Sequence, residues 1–390
     1  MRTTTKREYI RITQKRYFTA NRKQKSLILN ELSQTLAIHR KSAIRLLGNP
    51  PQPKKSTRTP RPFLYSKKVI WILEELWRMC EYPCGTILKA CTPLWMPFLK
   101  KHYQLDPSTE ASLFKISAST IDRRLKEKRM KLKSKIYGKT KPGLILRNQI
   151  PIKTSSLNIG SPGSLELDLV SHSGFSAAGE FVYTLNSVDI FSQWVERRAC
   201  YGKSHHGVQK AFESIRQALP FDLIDIDFDN GSEFINWDLI HYCKLEKIGF
   251  TRSRPYEKDD QAHIEQKNST HVRRLFGRIR FDKPSVAVLL NDLYQNELRL
   301  FHNFFKPSLK LIKKRFIGAK TIRTFDKPRT PYHRLLADPY FPKHKRKILT
   351  DLFRSLDPIC LKHTIQRKIS KIYQEQNKNP IPKTDTPSHG

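Results

Sequence analysis

From Leu165 onward the sequence changes its hydrophobic period, and that change limits the possible fold more than any other feature. Leu165 to Val170, Phe181 to Ile190 and Trp194 to Cys200 read as three successive strands. Helical and strand patterns then alternate. Lys203 to Leu219 reads as a helix, Leu223 to Phe228 as a strand, Ser232 to Lys247 as a helix, Gly249 to Arg252 as a short strand and Ala262 to Phe276 as a helix. Three strands in a row followed by alternation build a mixed sheet with helices packed on it, an α/β fold. Pro284 to Phe305 adds an amphipathic helix through Val288, Leu289, Leu293, Leu300 and Phe304. Residues 283–374 are basic, with strand-like Lys320 to Phe325 and helical patterns near Leu349–Leu356 and Ile365–Tyr373, and 375–390 reads as a disordered tail.

Upstream of this region the pattern is all-α. In residues 1–49, Lys25 to Leu36 carries Leu27, Ile28, Leu32 and Leu36 at helical spacing. A break at Ala37-Ile38-His39 leads to a second helix, Arg40 to Leu47, that presents Arg40, Lys41 and Arg45. Two short helices around a tight break, the second basic, suggest a helix-turn-helix, although any small three-helix domain has the same signature. Residues 50–65 form a linker, with five prolines between Pro50 and Pro62. Residues 66–137 are helical again, with Val69, Ile70, Leu73, Leu76 and Trp77 as a core stripe. There Ser117 reads as an N-cap, and the helix after it projects Ser119, Thr120, Arg123 and Arg124 outward while Ile121 and Leu125 pack inward. That is a second helix-turn-helix-like unit, built as a major-groove reader would be.

The composition fits a polyanionic partner. Lys plus Arg number 73 against 35 Asp plus Glu, a formal net charge of +38, and a hydrophobic content of 38% is enough to bury a core. Nucleic acid is the expected partner, with a ribosome-associated or acidic-membrane-binding protein as the alternative, and the tandem helical units point to double-stranded DNA. The six cysteines are scattered without CxxC pairs and read as free thiols of a reducing compartment; Cys80 and Cys84 lack the further partners a zinc site needs. No signal peptide and no apolar run of membrane-spanning length is apparent, so the chain reads as soluble, without a membrane partner.

Acids stand out against this basic background. In the first strand Glu166 and Asp168 share a face opposite Leu165, Leu167 and Leu169. In the fourth, Asp225, Asp227 and Asp229 share a face opposite Ile224, Ile226 and Phe228. Asp229 is preferred because Asn230-Gly231 turns the chain directly after it and exposes its side chain. Asp168 is preferred over Glu166 because it lies nearer the strand end and is shorter; Glu166 and Asp227 remain alternatives. Glu265 sits at the edge of a helical stripe of Ile264, Val272, Leu275 and Phe276 that includes Asn268, while His263, Lys267 and Arg274 form an adjoining basic face. Acids brought to one point need a divalent cation to neutralise them.

These segments resemble the catalytic core of the retroviral-integrase superfamily, and more closely that of bacterial insertion-sequence transposases. The shared features are Asp168 in the first strand, Asp229 in Asp-Asn-Gly-Ser-Glu-Phe after the fourth, and Glu265 with thirty-five residues between. Thr251-Arg252-Ser253-Arg254-Pro255-Tyr256 and Asp259-Asp260-Gln261-Ala262-His263-Ile264-Glu265-Gln266-Lys267-Asn268 match as well. Pro331-Tyr332-His333-Arg334-Leu335-Leu336 adds weaker support. Ser269 departs from the pattern, in which Trp often follows Gln-Lys-Asn, and the His-His-Cys-Cys zinc module of retroviral integrases is absent from the sequence.

The resemblance implies an RNase H-like catalytic core over 160–282, preceded by the helix-turn-helix domains. It further implies that Asp168, Asp229 and Glu265 hold two Mg²⁺ or Mn²⁺ ions for DNA cleavage and strand transfer. Lys267, Arg254 and Asn268 are then expected to contact DNA, together with Arg123, Arg124, Arg40, Lys41 and Arg45 on the helical units. A homo-oligomer assembled on DNA in the bacterial cytoplasm follows, because two element ends must be handled together. His172, His205 and His206 read as DNA-facing or surface residues rather than ligands. The alternatives are a DNA-binding regulator that does not cut and a nuclease that does not join.

Overall fold

The computed structural model describes residues 3–49, 65–132, 160–228, 237–252, 264, 267–317 and 320–378. Residues 1–64 and 65–390 form two compact units.

The first unit consists of α1 (Thr3–Thr19), α2 (Arg22–Leu36) and α3 (Arg40–Gly48) around Ile10, Ile28, Leu29, Leu32, Ala43 and Leu47. A capping box starts α2: the Asn21 side chain accepts from the Gln24 N–H at 3.0 Å, and the Gln24 side chain accepts from the Asn21 N–H at 3.1 Å. Ala37 ends it in the left-handed region at φ 47°, its N–H bonded to the Gln34 and Ser33 carbonyls. The α2–α3 break therefore lies where the sequence placed it; α1 was not read from the sequence.

In the second unit α4 (Lys67–Met79), α5 (Gly85–Tyr103), α6 (Pro107–Lys115) and α7 (Ala118–Leu132) come first. Ser66 caps α4, and the Ser117 hydroxyl caps α7 by accepting from the Thr120 N–H at 3.2 Å. Gly85 lets α5 begin directly against α7: a Cβ there would run into the Ala118 carbonyl oxygen. The Gly85 N–H is held by Asp122 of α7 at 2.8 Å.

The sheet follows: β1 (Ser164–Ser171), β2 (Val182–Asp189), β3 (Val195–Tyr201), then α8 (His205–Ala218), β4 (Asp225–Phe228), α9 (Trp237–Leu245) and β5 (Gly249–Arg252). The strand order is β3-β2-β1-β4-β5. β2 is antiparallel to β1 and β3, whereas β4 is parallel to β1 and β5. The mixed α/β sheet expected from the change of period is thus present. α8 lies on it through Val208, Ala211, Phe212 and Ile215. Every residue of β2 is buried, so both faces of the sheet are covered.

A π-helical turn, Asn268–Arg273, runs into one α-helical turn, Arg274–Phe276. The long C-terminal helix read from sequence consists of α10 (Pro284–Leu293), a π-helical stretch Tyr294–Leu298 and α11 (Arg299–Phe305). A hairpin, β6 (Leu311–Ile317) and β7 (Lys320–Phe325), precedes α12 (Pro331–Ala337), α13 (Lys343–Ser355) and α14 (Pro358–Asn377). The helices before the sheet share a core with those after it. Trp95 of α5 packs edge-on against Phe301 and Phe305 of α11, and its indole N–H donates to the Phe305 carbonyl at 3.1 Å. Among the described residues no helix is long and apolar enough to cross a membrane.

Candidate active site

β1 and β4 run side by side in register, with Glu166 beside Asp227 and Leu167 beside Phe228. The four described acids on these two strands have separate fates. Glu166 is fully buried, and its carboxylate accepts the Ile264 N–H at 2.8 Å. Asp225 accepts from the Ser164 hydroxyl at 2.7 Å, and buried Asp227 accepts from the Thr251 hydroxyl at 3.3 Å. Asp168 and Asp225 are half-buried, and of the two only Asp168 is level with the point where the chain leaves β4. Strand alternation gave Glu166 and Asp168 the same face; burial separates them, with Glu166 anchoring backbone and Asp168 keeping solvent access.

Asp168 is held from two directions. One carboxylate oxygen accepts the Leu169 N–H at 2.8 Å, and the other accepts from the Asn268 amide. The Asn268 carbonyl oxygen in turn accepts from the Asn186 amide at 2.7 Å. Asn186 is buried on β2 directly across from Asp168. The chain Asn186–Asn268–Asp168 fixes the orientation of a carboxylate. Asn186 was missed in the sequence, where only its register against Asp168 could have signalled it. Asn268, expected on DNA, spends its side chain on Asp168 and Asn186. Arg273 is half-buried, and its charge lies near Asp168; burial lowers its pKa and Asp168 partly offsets that.

Asp229, Glu265 and Arg254 lie outside the described residues, as do Ser232, Tyr256 and His263. The residue before each of the two acids is described. Phe228, just before Asp229, pairs with Leu167. Ile264, just before Glu265, is bonded to Glu166 and packs with Val188 and Val195. Both flanks therefore meet β1 at 166–167, within two residues of Asp168. An aspartate with one face open to solvent and hard oxygen donors is the ligand type that suits Mg²⁺ or Mn²⁺.

Two expectations need correcting. Lys267 is 3% exposed rather than on a basic surface face. Positions 267 and 271 lie about one turn apart, and the loop after α4 covers that side of the helix, so both side chains are enclosed. Burial, with Lys306, Arg334 and Arg197 nearby, pushes the Lys267 ammonium down to about 7. His172 is no surface residue: it is 1% exposed, lies against Phe276 and Phe281, and bonds Thr184 at 2.9 Å. Burial, then Arg273, holds it down to about 3. His205 and His206 are exposed at the start of α8.

On the helical units, Lys41, Arg45 and Arg123 are exposed and Arg124 is half-buried. Arg40 is exposed but turned back on α2, its guanidinium donating to the Ser26 hydroxyl at 2.9 Å and to Asn30. Arg123 donates to Thr120 at 2.9 Å. Ile121 and Leu125 are fully buried, as the outward–inward reading of α7 required.

A mixed-sheet α/β protein with a half-buried, firmly oriented aspartate on its central strand is the class these features define. The chain belongs to the family of the uncharacterised protein y4rM of Sinorhizobium fredii (strain NBRC 101917 / NGR234). The two are 34% identical over 333 residues, covering 85% of this chain and 95% of that one. No protein-family model matches the chain. Among solved structures it is similar to the simian T-cell lymphotropic virus intasome in complex with the PP2A regulatory subunit B56 gamma, at 14% identity and TM-score 0.32, covering 63% of this chain and 75% of that one. It is also similar to the catalytic core domain of BIV integrase, at 18% identity and TM-score 0.27 over 44% and 91%. A third is the HTLV-2 integrase catalytic core domain in complex with magnesium, at 15% identity and TM-score 0.28 over 37% and 89%.

Proposed function

We propose that this chain is a transposase or integrase, with an RNase H-like core that cleaves DNA at element ends and joins the freed ends to a target. One observation carries the reading: the residue before Asp229 and the residue before Glu265 both meet β1 within two residues of Asp168. That convergence, together with the Asp-Asn-Gly-Ser-Glu-Phe and Ile-Glu-Gln-Lys-Asn segments, supports Asp168, Asp229 and Glu265 as one set of acids. They would hold two Mg²⁺ or Mn²⁺ ions. Such ions, when bound, activate the attacking oxygen and stabilise the leaving one at phosphorus. The chain's own contribution is orientation: Asn268 and Asn186 hold the Asp168 carboxylate, and Glu166 secures the backbone at Ile264, the residue before Glu265. The basic surface, with Lys41, Arg45 and Arg123 exposed, supplies phosphate contacts for double-stranded DNA, and the active form is an oligomer on DNA.

The test uses labelled duplexes from the DNA flanking the coding region, incubated with Mg²⁺ and the full chain. Nicks at element ends and joined products are expected, and Asp168→Asn or Asp229→Asn should remove both while DNA affinity stays within about twofold. Binding without either product would leave a DNA-binding regulator; nicks without joining would leave a nuclease.

A further inference from the structure

The helix segment that brings Asn268 to Asp168 turns another face, with Lys267, Thr270, His271 and Arg274, toward the loop between α4 and α5. Between them, bounded also by Lys306, lies a cavity of ≈ 180 Å³. Its lining holds three cations, Lys267, Arg274 and Lys306, and one carboxylate, Glu81. Lys267 is 3% exposed, and no carboxylate or carbonyl among the described residues accepts from its ammonium. A buried ammonium ordinarily ends on an acceptor, because desolvation without one is costly.

The acid lining the cavity, Glu81, is already committed. One of its carboxylate oxygens accepts from Lys362 at 2.8 Å; the other accepts from Lys306 and lies 3.3 Å from His302. Arg274 donates to the Glu81 backbone carbonyl at 2.9 Å. Glu81 and Tyr82 both adopt left-handed backbone, φ 63° and 59°, which non-glycine residues seldom do and which recurs where a site imposes it. Lys306 and Lys362 thus both bond the Glu81 carboxylate, Arg274 bonds its backbone carbonyl, and Lys267 lines the same cavity.

We propose that this cavity is an oxyanion site that takes a phosphate group, with Lys267, Lys306 and Arg274 donating to it. The three cations come from two separate segments and line one cavity, so they suit a tetrahedral group that offers oxygens in several directions. Size allows it, since cavities of roughly 150 Å³ admit ligands as large as benzene. An anion here would give Lys267 a counter-charge that no described residue supplies. The phosphate is either free or part of a nucleic-acid strand. The site itself requires neither metal nor cleavage, so it stands or falls separately from the proposed reaction.

The experiment titrates the full chain with inorganic phosphate, ionic strength held constant with chloride, and follows thermal stability without DNA or metal. Wild type should be stabilised by phosphate with a saturating dose response. Lys267→Met should bind at least about tenfold more weakly, and Arg274→Gln severalfold more weakly; exposed Lys347→Met should match wild type. An equal response in wild type, Lys267→Met and Arg274→Gln, or no phosphate effect beyond that of chloride, overturns the proposal. A second arm measures binding of a labelled single-stranded oligonucleotide at fixed ionic strength with and without phosphate. Competition in wild type that Lys267→Met abolishes assigns the site to a strand phosphate; phosphate binding without competition assigns it to the free ion.

Discussion

Replacing Lys267 by methionine should make the protein more stable, and by an amount that depends on pH in a defined way. Methionine keeps the length of the side chain and discards the charge. At about 1.4 kcal/mol per pH unit, the drop from 10.5 to about 7 means that holding Lys267 charged costs the folded chain roughly 4–5 kcal/mol below pH 7. The sign follows from proton counts. Between pH 7 and 10.5 the unfolded chain carries a proton on this lysine that the folded chain lacks, so wild-type stability rises with pH through that window. The methionine variant lacks this term. Its advantage should therefore be full at pH 7 and below, shrink through pH 8 and 9, and vanish near 10.5. Urea denaturation followed by tryptophan fluorescence, in phosphate-free buffer at several pH values, measures the difference directly. A gain that stays constant from pH 7 to 10, or a loss of stability at pH 7, would refute the reasoning.

Three further outcomes follow from the same geometry. Glu166→Ala removes the acceptor of the buried Ile264 N–H and should cost about 1–3 kcal/mol in denaturation, whereas Asp168→Asn should leave stability within about 0.5 kcal/mol and affect only the chemistry. Equal stability losses in the two would mean that their roles are not separate. His172 is held neutral, so its contribution to stability is present above pH 6.5 and lost as pH falls toward about 3; His172→Phe, which suits the Phe276–Phe281 pocket, should flatten the acid limb of the stability curve by up to about 1.4 kcal/mol per pH unit. An unchanged acid limb would count against it. Arg123→Ala should weaken duplex binding and lower the salt dependence by a slope of about 1, read by anisotropy across a salt series; an unchanged slope would remove Arg123 from the DNA surface.

Local pattern determined the elements of the sheet and their order. The period change at Leu165, the alternation through β4 and β5, the Ala37–His39 break and the Ser117 cap all act within a few residues of chain, where side-chain spacing and hydrogen-bonding chemistry decide conformation. The acid-bearing faces were legible for the same reason. What each acid does was not, because that depends on what covers it. Glu166 and Asp168 share a strand face, yet a backbone N–H from residue 264, distant in sequence, claims the first and an asparagine from 268 the second. Lys267 and His172 were read as outward-facing because a one-dimensional pattern shows which side of an element is polar and not what packs over that side. The loop after α4 and the aromatic rings of Phe276 and Phe281 cover them, and only tertiary contact brings those there. The sequence thus determined which residues carry charge on which face; the tertiary structure decided which charges stay accessible to solvent and which are buried, where desolvation and neighbouring charge set their chemistry.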